Sequence, residues 1–155
     1  MLKYWTPEEK EKLEKISSFE EAADLAVNIL SRMNEEGKEV VQLCGPMSTG
    51  GAGNLALNME RFQKAVDKAA EKGLLVFDQV PFQNTIIRLC ELREDNPEYN
   101  WEILDIFYKR IFESGHVKRA LFLPGWEKSV GASWERDLVT KLGLVVEEYP
   151  LEWLN

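Results

Sequence analysis

Ala120-Leu121-Phe122-Leu123-Pro124-Gly125-Trp126-Glu127-Lys128-Ser129-Val130-Gly131-Ala132-Ser133-Trp134-Glu135 decides how this chain is read. Its first four residues form a continuous apolar run, the pattern of a strand covered on both faces. Pro124-Gly125 stops the run: proline has no amide to give a ladder, and glycine accepts turn conformations that other residues resist. A polar loop follows. Gly131 leads into a helical pattern that predicts a helix over 132–142, with Glu135 in its first turn. Strand, loop and helix in that order form the repeating unit of a parallel α/β sheet, where ligands lie outside the carboxyl ends of the strands. This loop then makes one wall of a site, and an earlier loop at 45–54 makes the other.

Working outward, the same unit recurs. Val40-Val41-Gln42-Leu43-Cys44 reads as the first strand, and Gly45-Pro46-Met47-Ser48-Thr49-Gly50-Gly51-Ala52-Gly53 follows it as a loop. Asn54 is placed to cap a helix whose stripe is Leu55, Met59, Phe62, Val66 and Ala69, running to about Lys72. The spacing predicts strands at 74–77, 119–123 and 144–146, and helices at 85–92 and 98–114. Two capped helices precede the first strand. Thr6-Pro7-Glu8-Glu9 is a capping box with proline at the first helical position, and Ser18-Phe19-Glu20-Glu21 repeats the signal. They are expected to pack on the sheet or on a second subunit. The fold class is thus α/β, a flavodoxin-like or Rossmann-like parallel sheet of about four strands. It forms one compact unit, with residues 1–38 as a helical extension and 39–155 as the α/β domain.

Composition narrows the function. With 155 residues, 45% of them hydrophobic and 30% charged, the chain has the make-up of a folded domain rather than a disordered one. A formal net charge of -8 argues against a binder of nucleic-acid polymers, which needs clustered Lys and Arg. Cys44, Cys90 and the single His116 offer no metal-ligand spacing. The cysteines read as reduced core thiols, and neither a metal nor a cofactor is expected. No apolar run has the length of a bilayer span and no signal peptide is evident, so a cytoplasmic protein is expected.

The two loops carry the chemistry. The first joins glycines to a helix start, whose free amides and positive dipole end suit phosphate, with the Ser48 and Thr49 hydroxyls beside them. It lacks the lysine of a Walker loop and the spacing of a dinucleotide fingerprint. The second loop offers Glu135, which a helix dipole in the first turn would keep ionised, and Glu127 as a second carboxylate. Two carboxylates around an oxocarbenium-like transition state are the usual means of glycosyl transfer, and the near absence of histidine fits that class better than acyl transfer. Trp126 and Trp134 flank the loop, placed either to stack on a base or to fill core.

Gly45-Pro46-Met47 after a first strand, with Asn58 and Phe62 in the next helix, resembles the nucleoside 2-deoxyribosyltransferase superfamily. Leu123-Pro124-Gly125-Trp126-Glu127, leading to Gly131-Ala132-x-x-Glu135 and Leu142-Gly143, resembles it more specifically, in its small branch with Gly-Pro-Met and Leu-Pro-Gly-Trp signatures. The resemblance spans residues 40–146. It implies cleavage of the N-glycosidic bond of a nucleoside or its monophosphate, with Glu135 as nucleophile. It also implies that Gly45, Pro46, Met47, Ser48, Thr49, Gly50, Gly51 and Asn54, with Pro124, Gly125, Trp126, Gly131 and Ala132, hold the substrate. A homo-oligomer is implied as well, and the apolar segment 149–155 is expected to pack on a partner subunit or into the pocket rim. Aspartates usual in the superfamily are replaced here by Lys109 or Arg110 and by Arg119. Asp105 lies one turn earlier. Asp78 and Glu127 are the substitute acids. That departure leaves a non-catalytic nucleotide-binding module as the alternative, beside a phosphoribohydrolase-like enzyme, which Pro124-Gly125 and Gly131-x-x-x-Glu135 echo, and a protein that acts through assembly alone.

Overall fold

The computed structural model describes residues 4–46, 55–91 and 103–154. Among these, four strands make one parallel sheet: β1 (Val40–Cys44), β2 (Leu75–Val76), β3 (Val117–Phe122) and β4 (Val145–Glu148). Their spatial order is β2-β1-β3-β4. The chain therefore steps from β1 outward to β2, then crosses back past β1 to β3. The carboxyl ends of β1 and β3 flank the point where the winding reverses, which in open α/β sheets is where ligands bind.

Among the described residues six helices accompany the sheet: α1 (Pro7–Lys15), α2 (Phe19–Asn34), α3 (Leu55–Glu71), α4 (Gln83–Glu91), α5 (Lys109–Glu113) and α6 (Val130–Leu142). The expected α/β sheet is thus present, with strand ends that differ from expectation by at most two residues. Between α4 and α5 the described chain resumes with a wide i→i+5 turn at Ile103–Tyr108 rather than continuous α-helix. The wider turn brings Phe107 and Tyr108 inward together with Leu104.

Alternation along the strands builds two cores. Val40, Cys44, Ala120 and Phe122 face a large cluster that includes α2 residues, Ile111 and Phe112 of α5, and Val139 of α6. Val41, Leu43, Val76, Leu121 and Leu123 face Phe62, Ala65, Val66 and Ala69 of α3, together with Tyr149. A register shift between Val40 and Val41 pairs them with Val117 and Arg119, so Lys118 bulges out and the alternation in β3 is reset.

Of the two N-terminal helices, α2 packs on this chain's own sheet and α1 packs on α2. Alanines and large residues of α2 from Phe19 to Met33 are buried in the first cluster, and Trp5 lies against Phe82 at 5.3 Å between ring centroids. The capping box of α1 forms as its sequence indicated, and Glu9 also takes Arg32 of α2 at 2.8 Å. After β4, the Tyr149 hydroxyl donates to the Ala65 carbonyl at 2.9 Å, and a 3-10 turn at Leu151–Leu154 lies along α3. The C-terminal segment therefore covers its own domain.

Candidate functional site

Both loop stems meet at the ends of β1 and β3. Leu123 N donates to the Cys44 carbonyl at 2.8 Å, extending the ladder one residue past the strands. Arg61 of α3 donates to the Pro124 carbonyl at 3.1 Å. Gly125 has φ 89°, in the left-handed region that suits glycine, and there the chain turns into a short 3-10 segment at Trp126–Lys128. Ser129 then caps α6, its hydroxyl accepting from Ala132 N at 3.2 Å.

Gly45 is explained by packing. A Cβ placed there would stand 2.8 Å from Leu123 Cδ1 and 2.9 Å from Leu123 Cβ. Its φ is outside the positive region, so close approach of the two strand ends, rather than a special backbone conformation, requires the missing side chain. Pro46 is buried beside it. Met47, Ser48, Thr49, Gly50, Gly51 and Asn54 lie outside the described residues.

Glu135 sits differently from the expectation. Because α6 begins at Val130, Glu135 is its sixth residue and lies beyond the first turn, where the dipole acts most strongly. It falls with Ala132 and Val139 on the buried face of the helix and is 5% exposed. Cys44 Sγ, at the end of β1, donates to Glu135 Oε2 at 3.5 Å. Burial pushes the Glu135 carboxyl up to about 8, against the smaller opposing pull of the Cys44 hydrogen bond. The expectation that the dipole keeps this acid ionised is thus corrected: desolvation outweighs it. Burial, and then the neighbouring Glu135, hold the Cys44 thiol well above its ordinary value.

The other two acids do not join it. Asp78, at the end of β2, accepts from Gln63 of α3 at 3.3 Å and from Val80 N at 3.0 Å. It therefore turns toward the α3 face, whereas Glu135 lies on the α6 face. Asp78 also lines a cleft of about 330 Å³ with Trp5, Met33 and Leu75 along the free edge of β2. Burial raises its carboxyl, partly offset by the Val80 amide. Glu127 is exposed on the 3-10 segment, and its backbone carbonyl accepts from the Ser133 hydroxyl. Asp105 is exposed too. Arg110 pairs with Asp24 of α2, and Arg119 bridges Glu39 and Glu147 at 2.9 and 3.1 Å.

Of the remaining loop candidates, Pro124 and Gly125 shape the turn, while Gly131 and Ala132 belong to the first turn of α6. Trp126 is taken up by its neighbours. The Arg136 guanidinium stands 4.5 Å over its ring and 4.8 Å over that of Phe122, and the two rings meet edge to face at 5.6 Å. Arg136 is anchored in turn by Glu148 at 2.9 Å. Trp134 packs against the first core.

Sequence reasoning passed over a row of buried amides beside this pair. Gln42, two residues before Cys44 on the same face of β1, donates to Gln79 Oε1 at 2.6 Å, and Gln83 donates to the Tyr108 hydroxyl at 3.3 Å. All three glutamines are under 5% exposed. A glutamine at the centre of an otherwise apolar strand was the available signal, since most buried polar groups have partners. Gln42 pairs through Nε2, while its Oε1 has no partner among the described residues.

One family model matches the chain, described as Domain of unknown function (DUF4406), over residues 39–148. The chain belongs to this family. The DUF4406 region holds all four strands and every candidate site residue, while α1 and α2 precede it. No curated protein and no solved structure matches the chain. No helix among the described residues is long and apolar enough to cross a membrane, and these residues contain no cluster of three or more metal-ligating side chains.

Proposed function

We propose that this DUF4406 chain cleaves the N-glycosidic bond of a nucleoside or nucleoside monophosphate, with Glu135 as nucleophile, as the resemblance to the nucleoside 2-deoxyribosyltransferase superfamily implies. One observation carries the reading: a carboxyl buried at the point where the sheet reverses its winding, held against the end of β1. A desolvated carboxyl with a raised pKa at such a place is a candidate for a functional site.

A Glu135 oxygen attacks the anomeric carbon, the carbon–nitrogen bond breaks, and its electron pair leaves with the base, which takes a proton from water. Water, or a second base, then attacks the same carbon and frees the carboxylate. A carboxylate poorly solvated in the resting protein gains most when a positive charge develops beside it, so its interaction favours an oxocarbenium-like transition state over the neutral substrate. The reactive form is the ionised one, roughly a tenth of the population at pH 7 for a group titrating at about 8.

A second reading is favoured by the placement of the acids. Asp78 faces α3 and Glu127 is exposed, which leaves the departing base without a matched carboxylic acid among the described residues. On that reading the fold binds a nucleotide without turning it over. Incubation with a panel of nucleosides and their monophosphates, followed by chromatography for free base, separates the two. Release supports the enzyme, and thermal stabilisation by a panel member without release supports the binding module.

A further inference from the structure

We propose that Cys44 is a positioning residue for Glu135: its S–H donates to Oε2, locks the carboxyl against the end of β1, and leaves Oε1 as the oxygen that attacks. The inference deepens the enzymatic reading and rests on it for its kinetic consequence, though the contact itself stands on geometry. Cys44 is 0% exposed and Glu135 5% exposed, so the pair is shielded from bulk solvent and has few substitutes for this bond. The two residues come from different elements, 91 positions apart, and each is held in place independently. Cys44 closes β1 immediately before Gly45, whose fit against Leu123 fixes the strand end. Glu135 is fixed by the Ser129 cap and by Ala132 and Val139 on the same helical face.

The surroundings leave the thiol this role. Arg136, on α6 itself, is the one other charged group acting on Cys44 among the described residues, and its guanidinium is engaged by Phe122, Trp126 and Glu148. The buried side chains of α2, packed on the same face, are all apolar, as are Ala120 and Phe122 of β3. The Tyr108 hydroxyl meets Gln83, and Gln42 meets Gln79. A thiol is a weak donor, but a hydrogen bond to the charged form of a buried carboxyl favours ionisation and holds one rotamer. Cys44 itself stays a thiol, because its burial beside a carboxyl opposes a second negative charge.

The test compares Cys44→Ser and Cys44→Ala with the wild-type chain by three readouts. These are base release, the carbon-13 titration of the Glu135 carboxyl, and the S–H stretching band of Cys44 in wild type against Glu135→Leu. Serine keeps a donor, so release within about threefold of wild type is expected, whereas alanine should lower kcat about tenfold with KM little changed, the size of a lost hydrogen bond to a charged group. Alanine should also move the Glu135 titration upward, and the S–H band should lie at lower frequency in wild type than in Glu135→Leu. An alanine variant whose kcat and Glu135 titration match wild type overturns the proposal. If the alanine variant does not fold, the S–H band decides: no difference between wild type and Glu135→Leu overturns it. If the wild-type chain releases no base at all, the enzymatic reading fails by itself, and the titration and the S–H band still decide the contact.

Discussion

Gly45 and Leu123 stand so close at the ends of the two central strands that a Cβ on Gly45 would lie 2.8 Å from Leu123 Cδ1 and 2.9 Å from its Cβ. The Cδ1 contact could be relieved by a rotation, but the Cβ contact is with the root of the side chain and moves only with the strand. Gly45→Ala should therefore destabilise by about 1–3 kcal/mol, the usual cost of overpacking. Urea denaturation measures it. Leu123→Gly, which removes that Cβ, should recover part of that loss in the same chain, since residues in contact couple rather than add. Full additivity of the two changes would show that the contact is not what demands glycine.

Stability should depend on pH through Glu135. Its ordinary value is 4.5 and its folded value about 8, so the unfolded chain gives up this proton first. The contribution of the buried neutral acid is fully present below about pH 4.5 and is lost as pH rises toward 8. By linkage the loss is on the order of several kcal/mol. Glu135→Gln keeps the shape and cannot ionise. The difference in unfolding free energy between variant and wild type should grow across that window in favour of the variant. A difference that stays flat with pH would place Glu135 in water.

Arg136 ties α6 to the end of β3. Its guanidinium covers Trp126 and Phe122 and reaches Glu148. Arg136→Ala should cost about 1 kcal/mol, the upper range for a cation–π contact at a partly exposed site. It should also change the fluorescence of Trp126, read against a Trp126→Phe control. Lysine should recover little, because the planar group that stacks is gone. Unchanged fluorescence in Arg136→Ala would contradict the clamp.

Tyr149 tests where the C-terminal segment belongs. Its ring is 1% exposed and its hydroxyl reaches Ala65 of α3 at 2.9 Å. Tyr149→Phe should lower stability by about 1 kcal/mol, the net worth of one buried hydrogen bond. That loss should be independent of protein concentration, as expected for a contact within one chain. A loss that varied with concentration would return the segment to a subunit interface.

Much of the architecture was legible because local signals agreed with one another. The Thr6 and Ser18 caps, the apolar run of β1 and the Gly143 stop all form where the residues placed them. The site was less legible because its properties are tertiary. Glu135 was read against its own helix, whose dipole favours charge, but its state is set by burial against the sheet, with the smaller opposing pull of Cys44 coming from 91 positions earlier. A signal was present nevertheless: Ala132, Glu135 and Val139 share one helical face, so periodicity already placed the carboxyl inward. Trp126 was expected either to stack on a base or to fill core, and nothing local shows that Arg136, ten residues on, returns to cover it. The fit of Gly45 against Leu123 was not legible because the two are 78 residues apart in sequence and adjacent in space.

The central claim is that Glu135 cleaves an N-glycosidic bond from its buried position. The most direct measurement is the pH dependence of kcat/KM for base release on the best member of a nucleoside and nucleoside-monophosphate panel, with Glu135→Gln alongside. The expected profile rises with pH through an apparent pKa near 8, which kcat/KM reports for the free protein, and release is lost in the variant. Release that persists in Glu135→Gln, or no release by the wild-type chain from any panel member, would contradict it.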